Sequence, residues 1–315
     1  MSFTSSILIT GGTSGLGYST ALSLSKSEPD TLLIIIASRS SSDAEERINS
    51  EVGNNNVIYL PLDSSTHEGV RIFVKAYEEK SFPPLRALVL NAAIQFVHKI
   101  HFTPDDLESM FAVNHVNHTL LFFLLSRYLT DDARIIVISS SGHDPSLKRV
   151  PPPTYVSAEK VAHPETGKKW NTQTEGFRRY GLSKLCNLLF AYALDRRVKE
   201  QGKEWIVITM EPGVMATNLF RWSSWFGWII GLRITRWFIK DIFTTDYVAN
   251  TLVKMIVGDE FGKKDKSGKY YTVIDAQEIP SSKQSHEEKL QDDLWEWTVK
   301  EIAKNDNEAE EFRRL

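Results

Sequence analysis

Tyr180-Gly181-Leu182-Ser183-Lys184 sets a phenol and an ammonium four residues apart. On a helix that spacing puts both on one face, a turn from each other. A free phenol ionises near pH ~10, too high to exchange protons readily at neutral pH. A neighbouring cation favours the phenolate and makes the pair a usable acid and base. A hydroxyl follows the apolar run 135–139 in Ser139-Ser140-Ser141, where it could orient a carbonyl oxygen. Each piece also has a plainer reading: a surface Tyr/Lys pair, and a serine that caps a turn.

A second constellation lies near the N-terminus. Thr10-Gly11-Gly12-Thr13-Ser14-Gly15-Leu16-Gly17 follows the first apolar run and opens a helical pattern. Glycines at 11, 15 and 17 permit a tight turn and let backbone N–H groups approach a pyrophosphate at a helix N-terminus. The second apolar run ends in Ala37-Ser38-Arg39, with no acid before Asp43. A dinucleotide site that takes NAD places an acid there for the ribose 2′-OH; an arginine suits a 2′-phosphate. The expected cofactor is therefore NADP(H), with Ser38 and Arg39 at its adenosine end. Asp63, after the third run, could accept from an adenine amino group or cap the helix starting near Thr66.

These residues need a scaffold. Apolar runs at 7–10, 32–37, 57–62, 87–91, 135–139, 205–210 and 270–274 alternate with helical patterns. They are continuous rather than alternating, as befits parallel strands covered on both faces. Repeated βαβ units with right-handed crossovers predict an α/β fold: a doubly wound, mainly parallel sheet of about seven strands with helices on both faces. The stretch 144–174 breaks the rhythm with five prolines and no period; it is expected to be an insertion forming a partial lid. An amphipathic helix is expected over 287–303, with 305–315 frayed.

Composition narrows the function. A net charge of −3 over 315 residues offers no basic field, and so no nucleic-acid partner is expected. The single cysteine, Cys186, excludes an internal disulfide and reads as a buried structural thiol. No leader pattern and no run of about 18 apolar residues are seen, so a cytoplasmic protein is expected. His98, His101, His115 and His118 lack a defensible ligand pattern, and no metal site is expected.

The glycine pattern, Asn91-Ala92-Ala93, Asn114, Ser140, Tyr180/Lys184 and Pro212-Gly213…Thr217 occur in one order that resembles the short-chain dehydrogenase/reductase family over roughly residues 6–275. Phe111-Ala112-Val113-Asn114-His115 and Ser183-Lys184-Leu185-Cys186-Asn187 resemble its retinol dehydrogenase and protochlorophyllide reductase branch. The resemblance implies one NAD(P)-binding Rossmann domain over 1–315. It implies Tyr180 as general acid/base, Lys184 as its helper and ribose ligand, Ser140 on the substrate oxygen, and Asn114 holding a water in a proton relay. Gly11, Thr13, Ser14, Gly15, Leu16, Gly17 and Asn91 would hold the dinucleotide. Pro212, Gly213 and Val214 would line the nicotinamide, with Thr217 near its amide or phosphates. Two departures stand out. The family's Asn-Ala-Gly is Asn91-Ala92-Ala93 here, and Ser140 lies further from Tyr180 than is usual in the family because of the 144–174 insertion.

The segment 218–240 holds four of the eight tryptophans, flanked by Arg221, Arg233, Arg236 and Lys240. As a substrate cover it implies a bulky lipophilic small molecule. A peripheral membrane contact through 220–240 and ordinary core packing are the other readings. The leading expectation is NADP(H)-dependent interconversion of a carbonyl and an alcohol. A C=C reductase, a non-catalytic NADP(H)-binding regulator and a membrane scaffold remain open, as does a homodimer through the helices around Asn114 and Tyr180.

Overall fold

A computed structural model describes residues 3–147, 151–215 and 242–315. Seven strands form one sheet: β1 (Ser5–Thr10), β2 (Leu32–Ser38), β3 (Val57–Pro61), β4 (Leu85–Leu90), β5 (Leu129–Ile138), β6 (Ile206–Glu211) and β9 (Lys269–Thr272). Their order is β3-β2-β1-β4-β5-β6-β9, and every pairing is parallel. The order reverses between β1 and β4, and an open sheet of this kind binds ligands in the crevice at that switch point. This is the expected doubly wound α/β fold.

The continuous apolar runs follow from burial on both faces. Leu8, Ile35, Leu88 and Ile135 point to one face, under α3 (His67–Glu79), α5 (Asn117–Leu125) and α7 (Gln173–Glu200). Ile7, Ile34, Ile36 and Ile136 point to the other, with Leu24 of α1 (Gly15–Ser27) and Leu252 of α8 (Thr245–Val257). Each such side chain contributes about 1.5–3 kcal/mol on burial. Cys186 is buried in the first of these layers.

Three elements depart from expectation. β5 starts six residues early, because Leu129 pairs with Leu85 across an irregularity before Arg134 aligns with Ala87. Val214–Met215 (β7) pairs with Ile242–Phe243 (β8) in a short parallel ladder. The tail is not frayed: α10 (Asp306–Arg313) follows α9 (Glu288–Ile302). Asn305 caps it from the Glu308 N–H at 3.0 Å, Arg71 clamps Glu308, and Phe312 stacks on Phe123 at 4.6 Å. Tertiary partners 180 and more residues away order a polar stretch that local pattern left unspecified.

Candidate active site

A cleft of about 1030 Å³ runs along the carboxyl ends of the central strands. At one end the glycine loop is shaped for close backbone approach. Gly11 and Gly15 have φ of 69° and 53°, and a Cβ on Gly17 would strike the Gly11 carbonyl oxygen. The first turn of α1 carries no acid and the Ser14 side chain makes no capping bond. Its N–H groups and dipole are therefore left to an anion. Thr13 and Ser38 hydroxyls meet at 2.7 Å, and Ser38 donates to the Ser40 carbonyl at 2.8 Å, fixing the β2 end beside the loop. Arg39 is exposed on the cleft wall and has no hydrogen-bond or ion-pair partner among the described residues. Leu16 and Asp63 also line the cleft. Asp63 does not cap the next helix: it accepts from the Ser65 N–H and hydroxyl, and Thr66 is the cap.

Asn91 and Ala92 are fixed on Thr10. The Thr10 hydroxyl accepts from both their N–H groups at 2.9 Å, and Asn91 Nδ2 donates to the Thr10 carbonyl. These features fit a dinucleotide: a Cβ-free cradle, an uncapped helix N-terminus and, at the second strand's end, a cation with no partner among the described residues.

At the other end, Tyr180 and Lys184 lie together on α7, with Nζ 5.8 Å from the phenol ring centre and both side chains buried. Lys184 Nζ donates to the Ile138 carbonyl at 3.0 Å. The electrostatics differ from expectation. Burial pushes the Tyr180 phenol up, opposed by the Ser140 hydroxyl, and burial pushes the Lys184 ammonium down to about 7. Both groups are withdrawn from water, and desolvation penalises charge on each. Ser140, in extended backbone at the end of β5, accepts from the Gly142 N–H at 3.2 Å. Its neighbour Ser139 donates to the Lys184 carbonyl instead.

Asn114 sits in a π-helical segment, Ala112–Val116, a distortion that often marks functional sites. Its side chain accepts from the Ile94 N–H and donates to the Ile94 carbonyl and Ser183 Oγ. The amide is thus a structural stitch between the β4 loop and α7, and its backbone carbonyl accepts from His118 Nδ1 at 3.2 Å. Pro212 lines the cleft, and Gly213, with φ 67°, lies where a Cβ would press on Phe243. Val214 takes part through its backbone in β7. Thr217 and the aromatic segment 218–240 lie outside the described residues.

The family model for short chain dehydrogenase matches residues 5–158. Short-chain dehydrogenase TIC 32 A, chloroplastic, from Brassica napus is 30% identical over 93% of this chain and 87% of its own. This chain belongs to the short-chain dehydrogenase family. The family's members are oxidoreductases that use NAD(P)(H). Human polyprenol dehydrogenase is 27% identical over 91% of this chain and 82% of its own. A short chain dehydrogenase from Burkholderia cenocepacia, solved in complex with NADP, shares the fold with a TM-score of 0.63 and 23% identity over 86% of this chain and 96% of that one.

None of the described residues of the 144–174 insertion, expected to form a partial lid, lines the cleft. Tyr155 and Ala158 of α6 (Ala158–Ala162) and its approach are bonded to Asp293 on α9. Ala162 O takes the Glu108 N–H and Asn171 takes the Ile100 N–H. The insertion therefore braces the loop whose Phe96 and Phe102 wall the cleft. Its buried aromatic and alanines lacked helical period, which hid the docking face. Sequence reasoning also missed Thr10, His118 and His143. Their signal was weak, because a threonine ending a strand or a histidine in an apolar helix has no motif of its own.

Proposed function

We propose that the protein is an NADP(H)-dependent dehydrogenase/reductase interconverting a carbonyl and an alcohol on a bulky lipophilic small molecule. The observation that carries this reading is the buried pair of Tyr180 and Lys184 in a cleft that also holds a glycine cradle, with the half-buried Ser140 hydroxyl beside the phenol. The nicotinamide, when bound, supplies or accepts the hydride. Tyr180 gives the proton to the substrate oxygen in reduction and takes it back in oxidation. Its raised pKa keeps the phenol protonated, the form that reduction needs. The Ser140 hydroxyl orients that oxygen. Lys184, easily neutralised where it lies, recharges when an anionic or hydroxyl-rich ligand replaces the lost water around it.

Arg39 carries the preference for a 2′-phosphate, and the NADP-bound Burkholderia neighbour supports the choice. The lipophilic substrate is supported by the polyprenol dehydrogenase likeness and by the tryptophan-rich segment 218–240. In this reading that segment covers the substrate, and its basic flanks meet a membrane surface from which an apolar substrate is drawn.

Titrating NADPH and NADH into wild type and Arg39→Ala tests the cofactor. Tighter NADPH binding by wild type, with the preference cut about tenfold in the variant, is expected. Equal binding of both by wild type overturns the assignment. Turnover of long-chain aldehydes or polyprenals with NADPH, with alcohol as product, tests the substrate class; a saturated carbonyl product would move the reading to C=C reduction.

A further inference from the structure

Ser140 is fixed from an unexpected quarter. Its carbonyl accepts two bonds from one residue: the His143 N–H at 3.1 Å and the His143 ring at Nδ1, 2.6 Å away. On the other side of the ring, Nε2 lies 3.1 Å from the Ser282 N–H. A carbonyl can only accept and a backbone N–H can only donate. The ring must therefore be neutral, with its proton on Nδ1 and its lone pair on Nε2. An imidazolium would set an N–H against an N–H. His143 is fully buried and meets the Tyr270 ring edge-on at 5.2 Å. The charged or titratable groups facing it are Asp144, which favours the cation, and His286, which opposes it; burial holds it neutral.

The anchor is itself rigid. Ser281 Oγ meets Tyr192 Oη, Ser285 Oγ and His286 Nε2 within 2.9 Å. Tyr192 belongs to α7, the helix that carries Tyr180 and Lys184. Gln284 exchanges bonds with the Tyr155 backbone in the insertion. The 140–143 turn also rests directly on α7, since a Cβ on Gly181 would strike the Gly142 carbonyl oxygen. One segment near the C-terminus thus grips the Ser140 turn, the insertion and the catalytic helix together.

We propose that His143 is a positioning residue, which fixes the Ser140 peptide and so aims the Ser140 hydroxyl at the Tyr180 phenol, coupling the segment 281–286 to the reacting end. Without the Nδ1 bond the Ser140 carbonyl keeps only the longer bond from the His143 N–H, the turn loses its tie to Ser282 and can shift with Oγ, and misplacement by about 1 Å costs about 100-fold in rate. The catalytic weight of Ser140 rests on the function proposed above; the coupling does not.

Two variants separate the ring's two ends. His143→Asn keeps a donor near the Nδ1 position, and His143→Gln keeps an acceptor near Nε2. In cofactor-free protein with 13Cζ-labelled tyrosine, the Tyr180 resonance (assigned with Tyr180→Phe) reports the placement of the Ser140 hydroxyl beside the phenol. It is expected to move in His143→Gln as it does in Ser140→Ala, and to return toward wild type in His143→Asn. If both variants leave it unmoved, or move it equally, the proposal fails. Should neither variant fold, 15N spectra of wild-type histidine decide: a proton on Nε2 of His143, or an exchanging pair of tautomers, overturns it. With NADPH and a long-chain aldehyde, kcat is expected to fall about 10- to 100-fold in His143→Gln with KM little changed. A Tyr180 signal that follows His143 while Ser140→Ala keeps full kcat would retain the coupling and reject the role given to Ser140.

Discussion

The glycine cradle and the Tyr180 centre sit at opposite ends of one cleft and are made by different means. The cradle is short-range. Residues 10–17 turn on glycine dihedrals, and its geometry depends on side chains that are missing. The centre is long-range. Ser140 is held by His143, itself fixed from Ser282, Asn114 is held from Ile94 and Ser183, and His118 reaches Thr10 on β1 at 2.9 Å. The cradle offers free donors to a ligand, whereas Lys184, Asn114 and the Ser140 carbonyl at the centre are paired inside the protein. A site of the first kind is sensitive to added bulk; a site of the second is sensitive to lost partners and to protonation.

The sharpest break of this contrast is Tyr180→Phe. It should lower kcat by about 100- to 10,000-fold, the range for losing a positioned acid, while NADPH affinity stays within about threefold. Stopped-flow turnover beside a binding titration checks it, and a parallel loss of affinity would mean that the two ends are not separable. Gly17→Val should do the reverse. The new side chain meets the Gly11 carbonyl and the Asn91 amide, so dinucleotide affinity should fall by about 100-fold or more, roughly 3 kcal/mol. The Tyr180 13Cζ signal of the cofactor-free protein should stay in place.

Acid sharpens the comparison further. Burial pushes His115 down to about 3 and His118 down to about 4. Between those values and the unfolded value of about 6.5 the unfolded chain binds more protons. Their contribution is thus complete above pH ~6.5 and is lost as pH falls through about 4 and then about 3. Glu108, pushed up to about 7 by burial, has the opposite sign: its contribution is present below about pH 4.5 and is lost as pH rises through about 7. His118→Asn keeps a donor for the Asn114 carbonyl and removes one titration. Relative to wild type, it should retain about 2–3 kcal/mol more of its neutral-pH stability at pH 4.5. Urea unfolding at pH 7 and 4.5 measures this; identical pH dependence in the two proteins would show that His118 is not held neutral.

The pairing of Thr10 with His118 fixes a second buried imidazole. Thr10 Oγ1 already accepts two N–H bonds, so its proton is best given to His118 Nε2, and His118 then donates from Nδ1 to Asn114. His143 repeats that pattern at Ser140. Two neutral imidazoles, each donating to the carbonyl of a candidate site residue, stand behind the reacting end.

Sequence by itself determined the sheet, the cradle and the Tyr180/Lys184 pair. Each rests on a local regularity: continuous apolar runs, glycines at a strand–helix turn, a four-residue helical step. The strand ends at 85 and 129, the ordered tail, the docking of 144–174 on α9 and the grip of Ser282 on His143 behind Ser140 were decided only by tertiary structure. Those features join residues 40 to 240 positions apart through single hydrogen bonds and stacked rings, and one such contact leaves no period in the chain. The direction of the pKa shifts belongs to the same class. A lysine four residues from a tyrosine reads as a helper that lowers its pKa; burial of both is what raises the phenol and lowers the ammonium.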